Sequence, residues 1–295
     1  MQTLLVFILV GFGAQLVDGA LGMAFGVTAT TLLLVNGINP AVASASVHLA
    51  ELGTSLASGS SHWRFQNVDW RLVGRLGVPG AVGAFLGATA LSSISTEVAV
   101  PWTATILLLL GVYVLARFSV RAPRVRVASA SPHGRRFLAP LGLTAGFIDA
   151  TGGGGWGPVS TSTLLSAGRV APRQVIGSVD TSEFLVAAAA SVGFFIGLRG
   201  EGISAATVLG MLIGGVFAAP LAAWLVRHLP LAVLGSAVGG ILVLTNTRTL
   251  LNVYDVSGGR NQLYLVIVVT WASLVLVAID QTRKGRVSVP EPALA

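Results

Sequence analysis

One passage of this chain is written twice. Asp18, Gly22, Gly26, Thr30, Leu33, Leu34 and Gly37 recur as Asp149, Gly153, Gly157, Thr161, Leu164, Leu165 and Gly168, at an offset of 131 residues. After one inserted residue, Pro40, Ser46, Val47 and Glu51 recur as Pro172, Ser178, Val179 and Glu183. Each copy opens on a carboxylate followed by clustered glycines, which are poor helix formers. A doubled unit with a helix break at matched positions constrains the fold more than any local pattern. It predicts two pseudo-symmetric halves, each folded around its own break.

The medium follows from charge. Of 295 residues 54% are hydrophobic and only 10% are charged, with a mean hydropathy of +0.82. A soluble domain carries about 25% charged residues. The apolar runs, near 2–17, 20–36, 40–61, 71–93, 98–118, 136–150, 156–167, 173–198, 204–227, 230–250 and 262–280, suit helices crossing ~30 Å of hydrocarbon. Alternating strands of an outer-membrane barrel are not seen. The first run has no basic flank or cleavage site and reads as a retained helix. With no cysteine, disulfide and thiolate chemistry are excluded.

The net charge of +7 sits in three loops rather than in a nucleic-acid-binding face. Arg64, Arg71 and Arg75 share one; Arg117, Arg121, Arg124, Arg126, Arg135 and Arg136 crowd the second; Arg283, Lys284 and Arg286 follow the last run. The positive-inside rule puts all three in the cytoplasm. That holds if 2–36 and 136–167 are re-entrant hairpins entering from opposite faces, and equally if every half-helix spans fully; the short segments after each glycine cluster favour the hairpins. The expected fold is therefore an all-α polytopic membrane protein of two inverted repeats. It has about seven full spans plus two hairpins, with the N-terminus outside and the C-terminus cytoplasmic in an inner membrane. The expected divisions are 1–118 and 136–250 for the repeats, 119–135 for the Arg-rich linker, 251–282 for a final helix and 283–295 for a tail.

Three groups of residues carry chemistry. The first is Thr151, Gly152, Gly153, Gly154, Gly155 and Trp156, with Pro158 suited to the first turn of the next helix. Backbone donors at a helix N-terminus, which carries roughly +0.5 charge, attract anions; the structural alternative is close helix packing through small residues. Gly22 opens the weaker counterpart in the first copy. The second group is hydroxyls: Thr28, Thr30, Thr31, Ser44 and Ser46 mirrored by Ser160, Thr161, Ser162, Ser178 and Thr181. They can solvate an oxyanion, or simply bond their own helices.

The third group is acidic. A carboxylate in a membrane segment costs about 2.5–3.5 kcal/mol and needs a reason. Asp18 and Asp149 lie at the breaks and suit capping of the following half-helix. Glu51 and Glu183 lie deeper, with no Lys or Arg in their runs. Desolvation favours their protonated form, fit for carrying a proton or for an interhelical hydrogen bond. His48 with Glu51, and Asp180 with Glu183, form i, i+3 pairs that could instead hold a divalent cation. No metal or other cofactor is expected. No hydrolase, Walker or metalloprotease motif is present, so no enzyme is expected.

These residues carry a resemblance. The Gly153–Gly155 run, Gly157 and Pro158 resemble the sulfite exporter TauE/SafE family. So do the paired S-x-x-x-x-E helices and His62-Trp-Arg-Phe-Gln-Asn-Val-Asp-Trp70-Arg-Leu ahead of a Gly-rich span. The likeness covers about residues 5–250. It implies a secondary transporter, an exporter, of small sulfur-containing or carboxylate anions such as sulfite or organosulfonates. The expected partners are that anion, protons and the bilayer, with no nucleic acid; a homodimer is the candidate assembly. The rival readings are a divalent-cation transporter using His48, Glu51, Asp180 and Glu183, and a non-transporting membrane scaffold.

Overall fold

The architecture was analysed in a computed structural model that describes residues 2–21, 23–120, 134–167, 169–228 and 230–287. Gly22, Gly168, most of the Arg-rich linker (121–133) and the end of the tail (288–295) lie outside the described residues. Among the described residues the chain is all helical, without a strand. The helices are α1 (Gln2–Leu21), α2 (Phe25–Val35), α3 (Pro40–Arg64), α4 (Trp70–Ser93), α5 (Thr96–Val120), α6 (Arg135–Gly152), α7 (157–167), α8 (Pro172–Gly197), α9 (Ala205–His228), α10 (Leu231–Val253) and α11 (Arg260–Val287). One π-helical turn, Val73–Gly77, lies in α4 and another, Gly157–Thr161, opens α7.

Five stretches, in α4, α5, α8, α10 and α11, are long and apolar enough to cross a bilayer, and the protein is a multi-pass membrane protein. The 25-residue α3 is also long, but Ser44, Ser46, His48, Glu51, Thr54 and Ser55 make it less apolar. The two short helices, α2 with 11 residues and α7, would reach only about 16 Å at 1.5 Å per residue. Their partners are longer: α1 has 20 residues and α6 has 18. The arms of each pair are thus unequal, with the short arm following the break in both. Phe25 begins α2 because the preceding residue, Ala24, is left-handed (φ 114°) and cannot continue a helix from α1.

Caps fix several starts. Asn39 accepts from the amides of Ala41 (2.9 Å) and Val42 (3.5 Å), and Asp69 from those of Arg71 (2.9 Å) and Leu72 (3.3 Å). Proline occupies the first turn of α3, α7 and α8.

The packing exchanges partners. Helix α1 lies mainly on α9, and α6 mainly on α4, while α3 meets α8 and α5 meets α10. The two crossed pairs share one device. A Cβ on Gly142 or Gly83 would strike the carbonyls of Leu76 or Leu143 in the α4–α6 contact; on Gly11 or Gly214 it would strike Met211 backbone or the Ile8 carbonyl in the α1–α9 contact. Backbones approach this closely only through glycine. The last helix stands apart: only 6% of its apolar window is buried, against 39–44% for the other four. Helix α11 lies on α10 and α5 at the periphery, whereas most of the short α2 is buried.

Candidate functional site

The centre of the molecule is built where the two breaks meet. At the end of α6, Gly153 is left-handed (φ 68°) and Gly154 follows at φ 152°, conformations that L side chains avoid. The amides of Gly153 and Gly154 both turn back to the carbonyl of Asp149, the latter at 2.9 Å. Opposite them lies the first turn of α2. A Cβ on Gly26 would come within 2.7 Å of Gly154 Cα and 2.9 Å of both Gly153 O and Glu51 Oε1. One on Gly154 would collide with the Gly26–Val27 peptide.

Each break is closed by its aspartate in the same way. Asp18 Oδ1 accepts from the Phe25 amide at 3.2 Å, and Asp149 Oδ1 from the Trp156 amide at 3.0 Å, both seven residues on. These bonds satisfy a free donor at the start of α2 and of α7. Asp149 does more. Its Oδ2 lies 3.1 Å from His48 Nε2 of α3, and both side chains are buried. The other ring nitrogen, Nδ1, lies 2.7 Å from the Ser44 carbonyl. A carbonyl only accepts, so Nδ1 carries a hydrogen and Nε2 is the atom that shares a proton with Asp149.

Two connected cavities open from this centre. The inner one, about 20 Å³, is lined by backbone of both breaks and by Asp18, Glu51, Asp149, Asp180 and Glu183; it has room for about one water. The outer one, about 230 Å³, shares Asp18, Phe25, Glu51, Ile176, Asp180 and Glu183 with it and adds Gln15, Thr54, Ser55, Ser58 and His62. Neither lining contains a Lys or Arg. Glu51 Oε2 is buried without a hydrogen-bond partner among the described residues. Asp180 Oδ2 is in the same position, with His62 Nε2 at 3.9 Å, beyond hydrogen-bond reach.

Residues 7–249 match the family described as "Sulfite exporter TauE/SafE". The chain belongs to this family. It is 49% identical over 282 residues to "Probable membrane transporter protein YtnM" of Bacillus subtilis (strain 168), covering 95% of this chain and 94% of that one. It is 28% identical over 239 residues to "Probable membrane transporter protein YdhB" of the same organism, covering 81% and 95%. No solved structure matches. The protein is a membrane transporter of the TauE/SafE family.

The residues singled out in the TauE/SafE sequence divide into two sets. Gly154, Gly155, Thr161, Asp18, Asp149, Glu51, Asp180 and Glu183 line the inner cavity. The others stand behind it. Thr151 bonds the Phe147 carbonyl (2.7 Å) and its own carbonyl accepts from Thr103 (2.9 Å). Gly152 faces Ile106, and Gly153 faces Thr30, whose hydroxyl donates to the Gly153 carbonyl at 2.5 Å. Trp156 is fully buried and its Nε1 donates to the Val179 carbonyl at 3.0 Å. Ser46 bonds the Val42 carbonyl of its own helix, and Ser178 accepts from the Asp69 amide. The hydroxyls of Thr28 and Ser160 are buried without a hydrogen-bond partner among the described residues.

Two expectations change. The glycine run does not present a row of open amides, because those of Gly153 and Gly154 are spent on Asp149. And His48 pairs with Asp149 rather than with its helix neighbour Glu51. Among the described residues no three of His, Asp and Glu converge closely enough to hold a metal ion, so His48, Glu51, Asp180 and Glu183 do not form one ligand set.

Of the residues that fasten the breaks, Thr103 and Asn246 escaped the sequence reading, while the hydroxyl set already held Thr30, Thr31 and Ser44. Thr103 (to Thr151), Ser44 (to Ala150, 2.7 Å) and Thr30 (to Gly153) take the last carbonyls of α6. Asn246 reaches the Thr31 hydroxyl at 3.2 Å from α10. The mirrored hydroxyls pointed to Thr30, Thr31 and Ser44; Thr103 and Asn246 lie outside the matched passages.

Proposed function

We propose that this protein is a secondary transporter that moves small sulfur-containing or carboxylate anions, of the sulfite and organosulfonate kind, across the inner membrane by alternating access. The observation that carries this reading is the meeting of the two helix breaks at a buried polar cavity that widens to about 230 Å³. Broken backbone at membrane depth is tolerated where it lines such a cavity, and transport sites lie between matched broken helices. The exchange of helix partners supports two inverted repeats, and the short α2 and α7 support re-entrant pairs. In this reading the N-terminus is outside and the C-terminus cytoplasmic.

The anion belongs in the outer cavity, since the inner one admits only about one water. Gln15, Ser58 and His62, which line it, can supply donors. The surrounding carboxylates repel an anion unless they are protonated, and a protonated carboxyl becomes a donor. Anion binding is therefore linked to proton uptake by Glu51 and Glu183. Without such coupling, a potential of 100 mV, inside negative, drives a monoanion outward by about 2.3 kcal/mol, which makes export the downhill direction.

Thermal unfolding of the detergent-purified chain, titrated with sulfite, sulfoacetate, sulfate, simple carboxylates and divalent metals, tests the reading. A saturating anion should raise the midpoint by about 5 °C, with a smaller rise in Gln15→Leu. Stabilisation by divalent metals and by no anion would sink it.

A further inference from the structure

The sequence doubling and the hydrogen bonds together disclose a charge asymmetry between the halves. At the 131-residue offset Asp18 matches Asp149, and at the 132-residue offset His48 matches Asp180. The pair His48–Asp149 is therefore the counterpart of Asp180–Asp18. With one shared proton, the first pair is neutral overall wherever that proton sits, on Nε2 or on Oδ2. The second pair is two carboxylates: with one shared proton it keeps a net charge of −1, and with none, −2. Both of its members line the inner cavity.

Among the described residues no Lys, Arg or His lines the inner cavity to discharge that excess. The groups facing the inner cavity are Asp18 from α1, Glu51 from α3, Asp149 from the end of α6, and Asp180 and Glu183 from α8, all acidic. His62, from the end of α3, reaches only the outer cavity and stands 3.9 Å from Asp180. Glu51 points independently to a missing partner. It is 4% exposed, lines both cavities and leaves Oε2 without a hydrogen bond. Buried charge without a partner is costly. The compartment beside it has room for about one water-sized body.

We propose that the inner cavity is a binding site for one monovalent cation, sodium or hydronium, held by Asp18 and Asp180 where the other half carries His48 as its own cation-forming group. Two carboxylates and neighbouring backbone carbonyls suit a singly charged ion, and the want of a three-residue cage argues against a divalent one. By linkage the cation and an anion in the outer cavity strengthen each other's binding. The net direction of transport then follows both gradients rather than the membrane potential alone. The site goes beyond the anion reading and does not depend on which anion is carried.

The test uses the full chain in detergent with no anion substrate added, so it fails or succeeds apart from the transport reading. Unfolding midpoints are compared in sodium chloride and choline chloride of equal strength at pH 8, where an ordinary imidazole is neutral, and then in choline between pH 8 and 5.5. A sodium site predicts a rise of about 3 °C in sodium over choline. A hydronium site predicts no sodium effect but a rise of that size on acidification. Either response should vanish in Asp180→Asn and persist in Asp255→Asn, a change in an exposed loop. Should Asp180→Asn not fold, Asp180→His, which copies the His48–Asp149 arrangement, should fold and be insensitive to both. Equal midpoints in all media, or a response unchanged in the Asp180 variants, would overturn the proposal.

Discussion

The break between α6 and α7 and the break between α1 and α2 start from matched sequence and reach different degrees of fixation. In the second half, Asp149 closes the break with every polar atom it has. Its carbonyl takes two amides, Oδ1 takes the Trp156 amide and Oδ2 pairs with His48. Three hydroxyls then cover the end of α6. In the first half, Asp18 caps Phe25 and faces the cavity. Where the second half has Gly154 and Gly155, the first has Met23 and Ala24, and Ala24 is held at φ 114°. One break is a braced joint, while the other is strained and open to the cavity. Local strain of this kind tends to gather at functional sites.

The largest test of this contrast is Gly154→Leu against Met23→Leu. The first forces a side chain into the Gly26–Val27 peptide at a backbone angle that excludes it. It should cost more than about 4 kcal/mol and leave little folded protein on size exclusion. Met23→Leu, a near volume-conserving change at a buried site, should cost under about 1.5 kcal/mol. Equal losses would mean that the two breaks are equally braced. Next comes His48→Ala, which strands Asp149 Oδ2 in a dry site and should destabilise by about 3–5 kcal/mol in denaturant unfolding. The matched Asp180→Ala should cost less, because Asp180 is partly exposed and its nearest cationic group, His62, stands 3.9 Å away. The smallest effect has the opposite sign. Ala24→Gly should stabilise by about 1 kcal/mol by relieving the left-handed strain, and a loss of stability there would show that the first break is not strained.

The sequence alone determined that this chain lives in a membrane, that its unit is doubled and that each copy breaks beside an aspartate. Those facts are written in composition and spacing. Charge is too scarce for a water-facing surface, Asp18 and Asp149 recur at one offset, and glycine lowers helix stability wherever it clusters. Helix positions were legible for the same reason, because an apolar run must be about as long as the bilayer is thick. What the amides of the glycine run bind was not legible. Whether an N–H points into a cavity or back to a carbonyl depends on φ and ψ at Gly153 and Gly154, which a glycine leaves open. Nor could spacing say that His48 would reach across to Asp149, 101 residues away, instead of to Glu51 one turn along. Only the tertiary structure decided these: the glycine amides through a local backbone conformation, and the His48–Asp149 contact because it is made between the two copies. The α4–α6 and α1–α9 crossings set how closely the copies approach, and that distance determines which buried group finds a partner.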